Sequence, residues 1–404
     1  MWSAMTTSTP PVDEHIPGAR PFSYSVTMVL VGFIMAMTAP IELLYAIKLG
    51  LSTAEVTAFI LVSALGVVAV DVLGTRVITR VDARATIAIG LVLFAASEAC
   101  FALSHGTAGL LGSRILQGLA SAVVAGAALQ VAVRMHSRPH QVLGSNQGLQ
   151  LLGAALGAPT GGIIAGLLSG VDGYRLSFWV CAGVGMVVAG VALVLLPGLP
   201  PPADGYRPRI GLPQLSLPPV LRMALALGLF GNYLRSGIEN TALPLVGHAY
   251  GLSAANIGVA LGILSAVQIG VLGTSGRLFE RVAPARCLAG ALLLGIAAVI
   301  VLAAVQDIRG VLCAAALFGV VNGIALAAPP VLIVALSPNA STGVATYRIA
   351  CGMGSFLGAG SVNLLIAVLG AGGGLAVVSG ILAAGAVLAR STARRFPPAA
   401  PAPS

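Results

Sequence analysis

Four ionisable residues, Glu42, Arg114, Arg235 and Glu239, each stand within an apolar stretch long enough, at about 20 residues, to cross a bilayer. A charged side chain there costs roughly 3 kcal/mol or more unless it is paired or hydrated, so its presence points to ligand binding or proton transfer. Glu42 lies about five residues from the end of its stretch and Arg114 about six from the end of its own. At about 1.5 Å per residue the two sit at similar depth and are expected to pair. A conformational change that parts them alters the affinity of Glu42 for a proton, which proton coupling requires. The alternative is a static salt bridge tying two helices together. Arg235 and Glu239 are four residues apart and share one helix face. Either they neutralise each other, or with Asn232, Tyr233 and Asn240 they form a cluster that binds substrate or carries protons. Glu98 is a further proton-coupling candidate. Gln117, Gln147, Gln150, Asn322 and Tyr347 are further polar candidates, and Tyr45 offers either aromatic contact to an apolar ligand or packing.

Other chemistries find no support. His136 and His140 are four apart but lack two further ligands for a metal. There is no HExxH, P-loop or nucleophile-elbow pattern, so no enzyme, cofactor or ATP-driven pump is expected, and an ion gradient is the energy source. The five cysteines show no CxxC spacing and read as small packing residues.

The elements that must hold these residues follow from composition. The chain is 57% hydrophobic and only 8% charged, whereas soluble domains carry roughly a quarter charged residues. Twelve apolar stretches are legible, at about 24–47, 54–74, 85–104, 108–133, 145–169, 175–196, 221–247, 253–274, 285–305, 309–336, 342–369 and 371–390. They are apolar throughout and do not alternate, which favours helices over a barrel. Residues 1–23 contain Asp13 and Glu14 and read as a cytoplasmic arm with no signal peptide; 391–404 read as a basic, Pro/Ala-rich tail. Fifteen of the 21 basic residues fall in segments that are cytoplasmic if the N-terminus is inside. This bias predicts both termini in the cytoplasm, and it explains the net charge of +9 without a nucleic-acid partner.

A Pro-rich linker over 197–220 divides two six-helix bundles, 24–196 and 221–390. The halves repeat. Gly50-Leu51-Ser52 returns as Gly251-Leu252-Ser253, and Val72-Leu73-Gly74-Thr75 returns as Val271-Leu272-Gly273-Thr274. Ser52 with Glu55 predicts a capping box opening span 2. Two such halves about an axis along the membrane normal form a transporter architecture with the substrate path between them.

Three motifs resemble the major facilitator superfamily. The loop Gly74-Thr-Arg76-Val-Ile-Thr-Arg80-Val-Asp82-Ala-Arg84 is similar to the family's Gly/Asp/Arg-rich cytoplasmic loop, with Thr79 where the family has Asp and Asp82 where it has Gly. Asp71 is placed to pair with these arginines instead. Gly276, Glu280 and Arg281 form the second-half copy; the other reading is that the arginines only anchor topology. Arg114-Ile-Leu-Gln117-Gly118 is similar to the family's Arg-x-x-Gln-Gly, echoed by Asn322-Gly323. Gly153-x-x-x-Gly157-Ala-Pro159-Thr-Gly161-Gly162 resembles the motif of the antiporter branch, with the proline displaced by one position, and is mirrored by Gly354-x-x-x-Gly358-x-Gly360. Small residues four apart permit close helix packing, and the proline permits a bend.

The resemblance implies an all-α major facilitator fold with a cavity lined by spans 1, 4, 7 and 10. It further implies export of a small amphipathic or hydrophobic compound by proton antiport. The expected setting is the plasma (inner) membrane, with lipid, substrate and protons as partners and a monomer as the working unit. Uptake of a polar nutrient by proton symport is the second reading, and a non-transporting membrane scaffold or sensor the third.

Overall fold

A computed structural model describes residues 21–70, 81–135, 139–198, 219–336 and 340–395, and these are helices joined by short turns. Twelve helical segments follow in order. Helix α1 has two pieces, Pro21–Met37 and Ala39–Lys48. It is followed by α2 (Thr53–Ala69), α3 (Ala83–Leu103), α4 (Thr107–Met135), α5 (Pro139–Ala165) and α6 (Asp172–Leu195). Helix α7 runs through Pro219–Leu234, a π-helical stretch Arg235–Ala242, and Leu243–Ala249. Then come α8 (Ala254–Arg281), α9 (Pro284–Ala304) and α10 (Ile308–Leu336). The last run, Ala340–Arg395, breaks at Gly370, dividing α11 (340–369) from α12 (371–395). Nine of these helices are each long and apolar enough to cross a membrane, counting the last run once; α2 is shorter in its apolar part.

Local chemistry sets the starts and stops. The Ser52 hydroxyl accepts from the Glu55 amide while the Glu55 carboxylate accepts from the Ser52 amide at 2.8 Å, the expected capping box. The Ser253 hydroxyl accepts from the Asn256 amide at 3.2 Å in the matching turn. Asp82, which departs from the family loop, caps α3 by accepting from the Arg84 amide at 2.7 Å. Among the described residues four glycines sit at positive φ: Gly50 (82°), Gly170 (73°), Gly251 (75°) and Gly370 (73°). They form two pairs about 200 residues apart, each ending a helix that turns into the next. The repeat therefore extends through the last helix pair, where the sequence shows only a Gly-rich link.

Packing follows the same duplication. Helix α1 packs on α5, α3 on α4 and α6, and α2 on α4; α7 packs on α11, α9 on α10 and α12, and α8 on α10. Between the halves the main contacts are α5 with α8 and α2 with α11, again equivalent under the repeat. The fold is thus two pseudo-symmetric six-helix bundles, each with its own buried apolar core. Large apolar side chains such as Val187, Val194, Ile300 and Val387 are exposed on the outer flanks, as lipid contact requires.

Two boundaries differ from the sequence reading. Helix α5 begins at Pro139, and α8 continues to Arg281. Gly276, Glu280 and Arg281 are therefore exposed on the last turns of a helix and not in a loop. A basic residue in a last turn complements the helix dipole, which favours the extension. Arg84 donates to the Leu193 carbonyl at the end of α6, 3.4 Å away. Asp71, Gly74, Arg76, Arg80 and His136 lie outside the described residues.

Candidate functional site

Both first helices of the halves are irregular where their acids lie. Helix α1 bends at Thr38, and Pro40, which has no amide hydrogen, opens the second piece. Helix α7 widens into its π stretch over the polar run Arg235–Ala242, with Pro244 just beyond. Stretches of π-helix concentrate at functional sites, and discontinuous helices expose main-chain groups at mid-membrane depth.

The bend in α1 turns Glu42 into a cluster shared by α1, α3 and α4. Arg114 pairs with Glu42, as their depths predict. Arg114 Nη1 also donates to Gln117 Oε1. Gln117 Nε2 donates to Glu42 Oε1 and, at 2.9 Å, to Glu98 Oε1. The Thr38 hydroxyl donates to Glu42 Oε1 at 3.0 Å. Phe59 of α2 lies under the Arg114 guanidinium, 5.0 Å from ring centroid to carbon, a cation–π contact. The carboxylate of Glu42 is buried, while the Arg114 side chain keeps 19% exposure. Arg114 is thus the accessible edge of an otherwise closed cluster.

The second half carries a looser counterpart. Arg235 Nε and Glu239 Oε2 are 3.7 Å apart, beyond hydrogen-bond reach, and the Arg235 side chain is 32% exposed. Asn322 Nδ2 of α10 donates to Glu239 Oε2 at 3.0 Å. An amide on the fourth helix of each half, Gln117 or Asn322, thereby holds the glutamate of the first. The glycine after each amide does matching work: a Cβ at Gly118 would meet the Ser63 carbonyl on α2, and one at Gly323 would meet Val271 on α8. Asn232 donates to the Gly228 carbonyl at 3.1 Å, and Tyr233 hydroxyl meets Ser361 hydroxyl at 2.8 Å. The Tyr347 ring lies against Gly228, with Asn232 and Arg235 among its polar neighbours.

Not every candidate joins these clusters. Tyr45 is fully buried; its hydroxyl donates to the Ser104 carbonyl at 2.9 Å and its ring packs against Phe178. This favours the packing reading of Tyr45 over the ligand contact, because a satisfied hydroxyl within an aromatic core leaves nothing for a ligand. Asn240 is exposed, and Gln147 and Gln150 are half-buried on α5. Sequence reasoning missed Thr38, Phe59, Cys181 and Gln268. Gln268 of α8 is fully buried, and among the described residues neither of its side-chain polar atoms has a hydrogen-bond partner. Its one sequence signal is an amide in an otherwise apolar stretch. An apolar groove of about 480 Å³ between α9 and α12, lined by Ile296, Val299 and Leu375 among others, lies away from both clusters. Among the described residues no group of three His, Cys, Asp or Glu could hold a metal.

The glycine motif of α5 divides its faces. A Cβ at Gly153, Gly157 or Gly161 would meet main-chain atoms of α1, whereas one at Gly162 would meet α8. Pro159 fits into the gap at Gly262 of α8. On α11, Gly354 and Gly358 sit in the same way on the main chain of α7.

The sequence matches the family model described as Major Facilitator Superfamily over residues 24–359. The chain belongs to the Major Facilitator Superfamily. As a superfamily member it is a multi-pass membrane transporter and not an enzyme. Two structures of a bacterial homologue of the human lysosomal transporter Spinster share the fold. The inward-facing, unoccupied form aligns with a TM-score of 0.73 at 15% identity, covering 94% of this chain and 98% of that one. The inward-facing, occupied form gives 0.72 at 15% identity, covering 95% and 100%. The human organic anion transporter MFSD10 (TETRAN) aligns with a TM-score of 0.60 at 17% identity, covering 92% and 100%. No curated protein matches the sequence.

Proposed function

We propose that the protein exports a small amphipathic or hydrophobic compound in exchange for protons, by alternating access of its two halves. The observation that carries this reading is the Arg114–Glu42–Gln117–Glu98 cluster, a buried set of acids with one accessible cation at its edge. Such a set binds or releases a proton when the helices that enclose it move, and antiport needs that differential affinity. The glycine face of α5, which resembles the antiporter branch, supports export as the direction.

The protein works as a monomer in the plasma membrane with both termini in the cytoplasm. On that topology the Gly50 and Gly251 turns are extracellular. The close approaches between halves then lie in the outer leaflet: Gly162 on Ala254, Gly258 on Ala158, Gly360 on Leu61, and Asn363 donating to Thr57 at 2.7 Å. This is the outward-closed stage of the cycle. In inside-out vesicles with an acid interior, ethidium is expected to accumulate and to leak back when the gradient is collapsed. Ethidium handling identical to that of empty vesicles, across a panel that includes acidic and neutral dyes, overturns the export reading.

Uptake of a polar solute by symport is the second reading. The loosely paired Arg235, with Asn232, Asn322 and Tyr347 nearby, supports it as a hydrogen-bonding site for a polar or anionic group. Proton-dependent uptake into right-side-out vesicles would select it.

A further inference from the structure

Glu98 is fully buried, and its surroundings do not balance its charge. The titratable groups that face it are Glu42 from α1, Arg114 from α4 through Glu42, and Cys181 from α6. The Cys181 thiol donates to the Ile34 carbonyl at 3.3 Å. Arg114 pairs with Glu42, so two carboxyls share one guanidinium and the cluster is one proton short of neutral.

The hydrogen bonds say where that proton belongs. The two amide protons of Gln117 go to Glu42 and Glu98, and its carbonyl accepts from Arg114, so its capacity to donate is spent. Among the described residues Glu98 Oε2 has no hydrogen-bond partner. The Thr38 hydroxyl donates to Glu42 at 3.0 Å and is a neighbour of Glu98. A buried carboxylate oxygen that no donor reaches is costly as an anion, which favours the neutral acid on Glu98.

We propose that Glu98, not Glu42, holds the coupling proton, and that the Thr38 hydroxyl passes it between the two acids. Once helix movement brings Glu98 into hydrogen bond with Thr38, Glu98 gives its proton to the Thr38 oxygen while Thr38 gives its own to Glu42; no electron is exchanged. Glu42, set beside the partly exposed Arg114, is the port to water. The inference rests on the exporter reading only for its transport arm.

Infrared difference spectra of the purified full chain in nanodiscs, in H2O and D2O, test the assignment without a substrate. Wild type at neutral pH should show a protonated-carboxyl C=O stretch that shifts in D2O, that Glu98→Gln removes and that Glu42→Gln leaves. A wild type with no such band overturns the proposal, and this measurement needs no variant to fold. Survival of the whole band in Glu98→Gln overturns it too. In proteoliposomes, Thr38→Val should slow pH-driven ethidium accumulation by at least about tenfold, while downhill ethidium exchange continues and Thr38→Ser keeps the wild-type rate. Equal rates for the valine and serine variants overturn the relay. If wild type moves no ethidium, the exporter reading fails and the infrared result still decides where the proton sits.

Discussion

Removing the guanidinium of Arg114 leaves Glu42 buried with only Thr38 and Gln117 to satisfy it. Breaking one side of a buried ion pair typically costs about 3–5 kcal/mol, because the remaining charge has no partner. Arg114→Ala should therefore lower the thermal midpoint of the purified protein sharply, and adding Glu42→Gln should recover part of the loss. A double variant no more stable than the single one would show that the ion pair is not what holds this cluster. At the second cluster the expectation is milder. Glu239→Gln keeps a hydrogen-bonding group beside Asn322 and removes only a 3.7 Å pairing. It should impair transport, read as ethidium flux, with little change in midpoint; unchanged flux assigns Arg235–Glu239 a purely neutralising role.

At the scale of elements, the fold depends on main chains that nearly touch. A Cβ at Gly157 would collide with the Phe33 carbonyl of α1, and one at Gly358 with the Tyr233 carbonyl of α7. Overpacking of this kind costs about 1–3 kcal/mol, since backbone cannot move aside as a side chain can. Gly157→Val and Gly358→Val should each reduce yield and thermal midpoint. Gly270→Ala, with nothing within 4 Å of its would-be Cβ, should not. Equal midpoints for all three variants would show that these helices tolerate separation. The bend at Thr38 and the π stretch at Arg235–Ala242 belong to the same scale: each is a helix departing from regularity where an acid must meet partners on neighbouring helices.

For the whole molecule, the contacts between halves define a state that must open for substrate to pass the other way. Asn363 of α11 reaches Thr57 of α2 across the boundary at 2.7 Å. Thr57→Cys with Asn363→Cys should cross-link under oxidation, stop transport, and release it on reduction, all measurable in one vesicle preparation. Cross-linked protein that still transports would show that these helices do not separate during the cycle.

Composition, the spacing of apolar stretches, the paired Gly-Leu-Ser turns and the Arg-x-x-Gln-Gly motif were enough to specify twelve helices in two repeated halves. They also specified the Glu42–Arg114 pair, since depth along a helix follows from residue count alone. Rotation about the helix axis and departures from helical geometry do not follow from a count. The chain alone therefore left Tyr45 open as a ligand contact, although its hydroxyl is bound by the Ser104 carbonyl, and it marked Glu98 as only one of several proton-coupling candidates. Only the packing of α1, α3, α4 and α6 around one point shows that Glu98 shares Gln117 with Glu42 and has no cation of its own. Hydropathy registers a residue's cost in lipid, whereas its neighbours across helices decide its charge partners.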